Sequence, residues 1–138
     1  MINIRRIAIV AAFAAVLAAS LSVHAQEKKI RRADLPPAVQ KTVDDLSKGA
    51  VLKGFSTEIE DGKKIYEVEM TVNGRGKDIS MDPQGKVLEI EEEVPIDSLS
   101  AAVKEGLTKA AGKGKITKVE SLTKEGKLVA AISLIVKG

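Results

Sequence analysis

The sequence contains no cysteine and no tryptophan, and its single histidine, His24, lies near the amino terminus. Thiolate and imidazole groups are needed for Ser-His-Asp and Cys-His catalysis, for zinc fingers and for haem ligation. Without cysteine there is also no disulfide, so the fold depends on its apolar core alone. His24 lies in the predicted signal peptide described below, so the groups that remain for chemistry after cleavage are carboxylates, lysines and one tyrosine. We therefore predict a protein that is not an enzyme and that uses no cofactor and no metal.

The first 25 residues have the pattern of a secretory signal peptide. Residues 1–6 form a basic n-region, residues 7–19 are apolar, and Val23-His24-Ala25 resembles a small-residue cleavage site. The apolar run is too short for a membrane-spanning helix. We predict cleavage after Ala25 and a periplasmic or secreted location, and the Arg5-Arg6 pair leaves both Sec and twin-arginine export open.

Cleavage would remove two of the 22 basic residues, which leaves 20 basic against 19 acidic side chains. A nucleic-acid or membrane role favours a one-sided positive surplus, so we expect neither partner. Residues 26–33 are basic without any period. We interpret them as a solvated N-terminal tail, with an arm for an anionic surface as the alternative.

A helix is predicted to follow this tail. Asp34 is a candidate N-cap, Pro36 and Pro37 suit a first turn, and Gly49 supplies a stop. Four apolar residues recur at helical spacing and predict one buried stripe: Leu35, Val39, Val43 and Leu46.

Strands and tight turns are predicted to occupy residues 51–94. Asp61-Gly62 and Asn73-Gly74 are typical two-residue hairpin turns, and Asp82-Pro83-Gln84-Gly85 suits a type I turn. Gly54 interrupts the alternation and predicts a bulge. The predicted fold class is α+β, with a helix packed on a four-stranded antiparallel meander (αββββ) over residues 34–95.

The chain then repeats itself. Shifted by 64 positions, Ser98-Leu99 falls on Asp34-Leu35, and turn glycines and core positions match as far as residue 138. Ser98 is therefore the candidate N-cap of a second helix, whose predicted apolar stripe is Leu99, Val103, Leu107 and Ala110. The match predicts a tandem second copy at residues 96–138, a degenerate and truncated αββ unit. Its last strand is apolar and would be an open edge unless it pairs within the chain, with a second copy in a homodimer or with a partner. The candidate pairing positions are Leu128, Ala130, Ile132, Leu134 and Val136.

The predicted sheet has one apolar and one acidic face. Tyr66, Val68, Met70 and Val72 alternate with polar residues along one strand. We interpret the acidic side as a candidate protein-binding face formed by Glu67, Glu69, Asp78, Glu89 and Glu91. A solvated face that prevents aggregation is the alternative, and a calcium site is weakly indicated because no Asp-x-Asp-x-Asp-Gly loop is present.

These motifs resemble one family. The signal peptide, Leu-Pro-Pro-Ala-Val, the Asp-Gly-Lys-x-x-Tyr-Glu-Val hairpin and the Asp-Pro-x-Gly-Lys-Val turn occur in the order seen in the PepSY-like domains of exported bacterial proteins. These domains are also described as β-lactamase-inhibitor-like. The resemblance implies a helix on a four-stranded sheet, often in tandem, and non-catalytic binding to an envelope protein. Beyond the signal peptide the chain has only Phe55 and Tyr66 as aromatics, so inhibition of a β-lactamase itself is not expected.

Three functional hypotheses follow. The first is an exported, non-catalytic binding module that docks to an envelope protein through the acidic sheet face and inhibits or regulates it. The second is a structural or self-associating envelope protein that pairs through its apolar C-terminal strand. The third is a carrier of a small ligand or a divalent cation, which depends on the carboxylate cluster alone.

Overall fold

The computed structural model describes the backbone of residues 4–9 and 27–136 and the side chains of residues 27–128. Eight strands and two short α-helices account for most of these residues. The strands are β1 (Ile4–Ile9), β2 (Lys28–Ile30), β3 (Val51–Glu60), β4 (Lys63–Val72), β5 (Arg75–Met81), β6 (Val87–Glu93), β7 (Lys115–Lys124) and β8 (Lys127–Val136). The helices are α1 (Pro37–Leu46) and α2 (Ala101–Ala111), preceded by 3₁₀-helices at Arg32–Asp34 and Ile96–Ser98.

The predicted fold class, a helix on a four-stranded meander followed by a separate αββ repeat, is wrong. The strands form one sheet in the order β1-β8-β7-β6-β5-β4-β3-β2. Strands β2 to β8 therefore follow one another in chain order, and β1 lies beside β8. Hairpin turns and alternation specify which strands are neighbours, but they do not specify where a sheet ends. A tandem origin for residues 96–138 stays a prediction.

Contacts divide the chain into two compact units. We call residues 27–90 the first unit, and residues 4–9 with 91–136 the second unit. In the first unit, α1 packs on one face of the sheet, which we call the helix face. Its buried core consists of Leu35, Val39, Val43, Tyr66, Val68, Met70, Ile79 and Met81. Burying one such apolar side chain contributes about 1.5–3 kcal/mol, so this cluster is the main source of stability in the unit.

Helix α1 begins later than its predicted cap. Its N-cap is Pro36, and Asp34 lies in the preceding 3₁₀-helix, where it binds Arg31. The predicted stripe is buried at Val39 and Val43, whereas Leu46 is 42% exposed at the last helical residue. Proline at the first helical position needs no N–H partner, which explains how the helix begins without a side-chain cap.

The tight turns lie where the sequence predicts them. Asp61-Gly62 and Asn73-Gly74 connect β3 to β4 and β4 to β5, with positive φ at all four residues, as a two-residue hairpin turn requires. The bulge predicted at Gly54 is also confirmed, because the register of β3 against β4 shifts between Leu52 and Gly54.

The second unit places α2 against β1, β7 and β8. Ser100, rather than the predicted Ser98, is the N-cap of α2, and its hydroxyl accepts a hydrogen bond from the N–H of Val103 at 3.4 Å. Leu107 and Ala111 of this helix are buried, as is Val119 of β7. Ala110, predicted for the apolar stripe, is exposed instead.

The predicted signal peptide, residues 1–25, lies outside the described residues except for Ile4–Ile9. These six residues pair with β8 in antiparallel register, from Ile4 opposite Val136 to Ile9 opposite Ala131. None of the described helices combines the length and apolar character needed to cross a membrane.

Candidate functional site

The face of the first unit opposite α1, which we call the outer face, carries predicted acidic residues. Glu67 and Glu69 alternate with core residues of β4 and therefore point away from α1. Asp78 on β5 is the direct cross-strand partner of Glu69. Val87 and Ile90 of β6 both pack against the core although they are three residues apart, so alternation does not assign Glu89 to one face. The fifth predicted residue, Glu91, belongs to the second unit.

These carboxylates differ in accessibility. Glu69 is exposed, whereas Glu67, Asp78, Glu89 and Glu91 are half-buried. Each of those four already interacts with another group. Glu69 is therefore the member of the predicted set that a partner can reach most directly.

Basic residues interrupt the acidic character of the outer face. Lys29 of β2 and Lys53 of β3 line a cavity of about 160 Å³ together with Glu67 and Glu69. Ser56, which lies opposite both Lys29 and Glu67 in register, is 6% exposed beneath them. The outer face is therefore a mixed-charge surface around Glu69 rather than a uniformly acidic one.

No group of three or more histidine, cysteine, aspartate or glutamate side chains is arranged to hold a metal ion in the described part of the chain. The third hypothesis, a divalent-cation carrier, therefore gains no support from these residues.

The predicted pairing strand, β8, has neighbours on both sides. It pairs with β7 along its length and with β1 over residues 131–136. Three predicted positions thus have a partner in each neighbour: Ile132, Leu134 and Val136. Ala130 pairs with β7, and Leu128 is 72% exposed at the start of the strand.

A second cavity of the first unit, which we call the basic pocket, lies on the helix face. It is an open depression of about 660 Å³ and is lined by Lys28, Lys29, Ile30, Arg31, Asp34, Thr57, Lys64 and Tyr66. Lys28, Thr57 and Tyr66 are direct partners across β2, β3 and β4, so their side chains lie in one row on one face. Lys64 is two residues before Tyr66 on the same strand and shares that face.

Tyr66 forms the aromatic floor of the basic pocket. It is 6% exposed and belongs to the core, as predicted. The ammonium group of Lys64 lies 5.3 Å from the centroid of its ring, within the range of a cation–π contact. The hydroxyl of Thr57 donates to the carbonyl of Ile65 at 2.8 Å, which holds that side chain in place.

One ion pair stands at the wall of the basic pocket. Arg31 Nε and Nη2 donate to the two carboxylate oxygens of Asp34 at 3.0 and 2.9 Å, and the Arg31 backbone N–H donates at 3.0 Å. These hydrogen bonds hold the pKa of Asp34 below its usual value and raise the pKa of Arg31. The guanidinium fork is therefore already occupied by a carboxylate.

The sequence did not predict the basic pocket. Lys28, Lys29 and Arg31 fall in the segment interpreted as a solvated tail, but Lys28–Ile30 pairs with β3. The sequence did contain one signal, a basic run that precedes a hairpin strand with a lysine and an aromatic residue, Lys64 and Tyr66. A three-residue strand is too short to show a period, so this run was not interpreted as a strand.

No protein-family profile matches the chain, and no curated protein sequence matches it. Three solved structures are similar. A BLIP-like protein from Bacteroides fragilis is 20% identical, with a TM-score of 0.53 over 75% of this chain and 72% of that one. A Bacteroides thetaiotaomicron protein, provisionally described as periplasmic and calcium-regulated, is 18% identical, with a TM-score of 0.42 over 76% and 95% of the two chains. A Bacteroides vulgatus protein of the DUF2874 family, provisionally described as periplasmic, is 18% identical, with a TM-score of 0.41 over 76% and 95%.

At these identities a structural likeness shows the fold alone, and of the three the BLIP-like protein exceeds a TM-score of 0.5. The BLIP-like part of the resemblance drawn from the sequence is therefore supported. Membership of the PepSY-like family and a tandem arrangement stay predictions. This chain is similar in fold to a BLIP-like protein.

Proposed function

We propose that this protein is a non-catalytic binding module of the bacterial envelope that docks to another protein through the outer face of the first unit. The observation that carries this proposal is the position of Glu69. It is exposed on a face that no described helix of this unit covers, and it lies directly opposite Asp78 in the next strand. A carboxylate exposed on an uncovered sheet face is available to a basic group of a partner, and complementary charge gives such a contact its specificity.

Two further observations support the proposal. The predicted signal peptide supports an envelope location, and the fold similarity to a BLIP-like protein supports protein binding by analogy. The lysines beside Glu69 suit a partner that presents a basic group next to acidic ones. Inhibition or regulation of the docked protein is the finer form of the same proposal.

Charge reversal tests the outer face. The tagged chain is used to capture proteins from the envelope fraction of the source organism, and the captured proteins are identified by mass spectrometry. Glu69→Lys should abolish capture of a specific protein. Glu60→Lys, the same charge change at an exposed position by the first hairpin turn, should retain that capture. Equal capture by both variants would contradict docking at Glu69.

A second candidate function, self-association, is favoured by the pairing of β1 with β8. The side of β8 opposite β7 pairs with the six residues of β1 in antiparallel register, and β1 falls within the predicted signal peptide. Removal of the signal would open that side of β8, where a second copy could pair as an added strand.

Light scattering on two forms of the chain tests this candidate. The chain that begins at Gln26 should form a dimer whose population rises with concentration, whereas the full chain, in which β1 is present, should stay monomeric. A monomer in both forms at high concentration would remove the self-association candidate.

A further inference from the structure

We propose that the basic pocket on the helix face binds an acidic peptide segment of a partner protein. This site is distinct from the outer face, because neighbouring residues of β4 point to opposite sides of the sheet. Lys64 and Tyr66 therefore serve the pocket, and Glu67 and Glu69 serve the outer face. The inference does not depend on the proposed docking at Glu69.

The charge of the pocket identifies the chemistry of its ligand. Three basic side chains, Lys28, Arg31 and Lys64, and one carboxylate line it on the helix face, whereas the register of Lys29 directs its side chain to the outer face. The carboxylate, Asp34, is already bound by Arg31. Among the described residues, none lies within ion-pair distance of Lys28 or Lys64. Two ammonium groups are thus left to bind negative charge.

The shape of the pocket favours an extended ligand over a compact ion. About 660 Å³ is within the range of sites for molecules much larger than phosphate. The Tyr66 ring and Ile30 provide an apolar surface between the charges. Consecutive side chains of an extended segment point to opposite faces, so a segment whose pocket-facing side chains include both carboxylates and apolar groups satisfies the ammonium groups and this surface.

The position of β2 provides a place for the backbone of that segment. Strand β2 is the last strand in the order of the sheet, so one of its sides faces no other strand of the described chain. An extended peptide can add to such an edge through main-chain hydrogen bonds, while its side chains contact the adjacent pocket. Lys28 and Ile30, which line the pocket, belong to this strand.

A free phosphate fits the site less well. Arginine binds phosphate well because its planar guanidinium group donates two parallel hydrogen bonds. The guanidinium group of Arg31 already donates such hydrogen bonds to Asp34. Helix α1 has Pro36 as its N-cap and Pro37 as its first residue, so two of the N–H groups that an anion could use at its start are missing.

Fluorescence anisotropy with the full chain tests the proposal. The probe is a short dye-labelled peptide with serine at every second position and glutamate and valine in turn at the positions between, so that one face carries both glutamate and valine. The comparison peptide has glutamine in place of glutamate. Lys28→Gln and Lys64→Gln should each weaken binding of the glutamate peptide about two- to fivefold, the effect of one exposed charge pair. Asp34→Asn should strengthen binding by a similar factor, which a folding defect could not produce.

The matched control is Lys63→Gln, which removes the same charge one residue from Lys64 but on the opposite face. It should leave the affinity unchanged, and equal weakening by Lys63→Gln and Lys64→Gln would overturn the proposal as general charge attraction. Displacement of the peptide by an equal concentration of inorganic phosphate would also overturn it, in favour of a free-anion site. Equal binding of the glutamine peptide, or no binding at all, would overturn it as well.

Discussion

Replacement of Gly85 by alanine tests how closely the turn between β5 and β6 is fitted against α1. Gly85 is buried and has a φ of +78°. A Cβ at this position would lie 2.5 Å from the carbonyl oxygen of Ala38 and 2.7 Å from Oγ1 of Thr42. The Ala38 atom belongs to the helix backbone, so no change of rotamer relieves the clash and the helix must move away from the turn.

The magnitude follows from three contributions. An L-residue in the left-handed region costs about 1–2 kcal/mol. Overpacking typically costs about 1–3 kcal/mol. Movement of the turn also breaks the hydrogen bond that Thr42 Oγ1 donates to the carbonyl of Gly85 at 2.8 Å, worth about 1 kcal/mol. We therefore expect Gly85→Ala to lower the free energy of unfolding by about 3–6 kcal/mol.

Gly74→Ala is the matched control for this experiment. Gly74 also has a φ of +78°, but nothing lies within 4 Å of the position that a Cβ would take there. It should therefore show the conformational cost alone, about 1–2 kcal/mol. Urea unfolding followed by circular dichroism measures both variants. Equal destabilisation of the two would refute the close contact between the turn and α1.

Three other substitutions test separate parts of the structure. Ile79→Ala should lower the free energy of unfolding by about 2–5 kcal/mol in a urea titration, because Ile79 is 0% exposed in the core. Asp45→Asn should destabilise at neutral pH, since the hydrogen bond from Lys41 at 2.7 Å lowers the pKa of Asp45. That contribution is present above the unfolded pKa of about 3.9 and is lost as the pH falls through the lower folded pKa, so thermal melts of the two proteins should converge in strong acid. Ser100→Ala should cost about 1 kcal/mol as a lost N-cap in the same thermal assay.

Local features of the fold were predictable because they depend on a few adjacent residues. A two-residue hairpin turn requires positive φ, and Asp61-Gly62 and Asn73-Gly74 supply it at low cost. The interrupted alternation at Gly54 likewise marked the bulge. The number of strands in the sheet was not predictable in this way. It depends on whether the backbone N–H and C=O groups of an edge strand pair with another strand, and the order of side chains does not show this.

The candidate sites were likewise predictable only where they depend on adjacent residues. Alternation along β4 was sufficient to place Glu67 and Glu69 opposite the core. It could not reveal that Lys29 approaches them, because Lys29 belongs to β2, which is a strand of only three residues. The interactions that occupy Asp78 are likewise tertiary and leave no pattern in the sequence.

Both proposed sites depend on one register. Tyr66 and Glu67 are consecutive, and their partners in β3 are Thr57 and Ser56. A shift of β4 by one residue would move the aromatic floor to the outer face and the glutamates into the core, which is prohibitively unfavourable. The alternation that buries the core therefore also separates the acidic residues from the basic pocket. Because Glu69 and Lys64 lie on opposite faces, a basic partner at Glu69 and an acidic segment at Lys64 would approach the sheet from opposite sides.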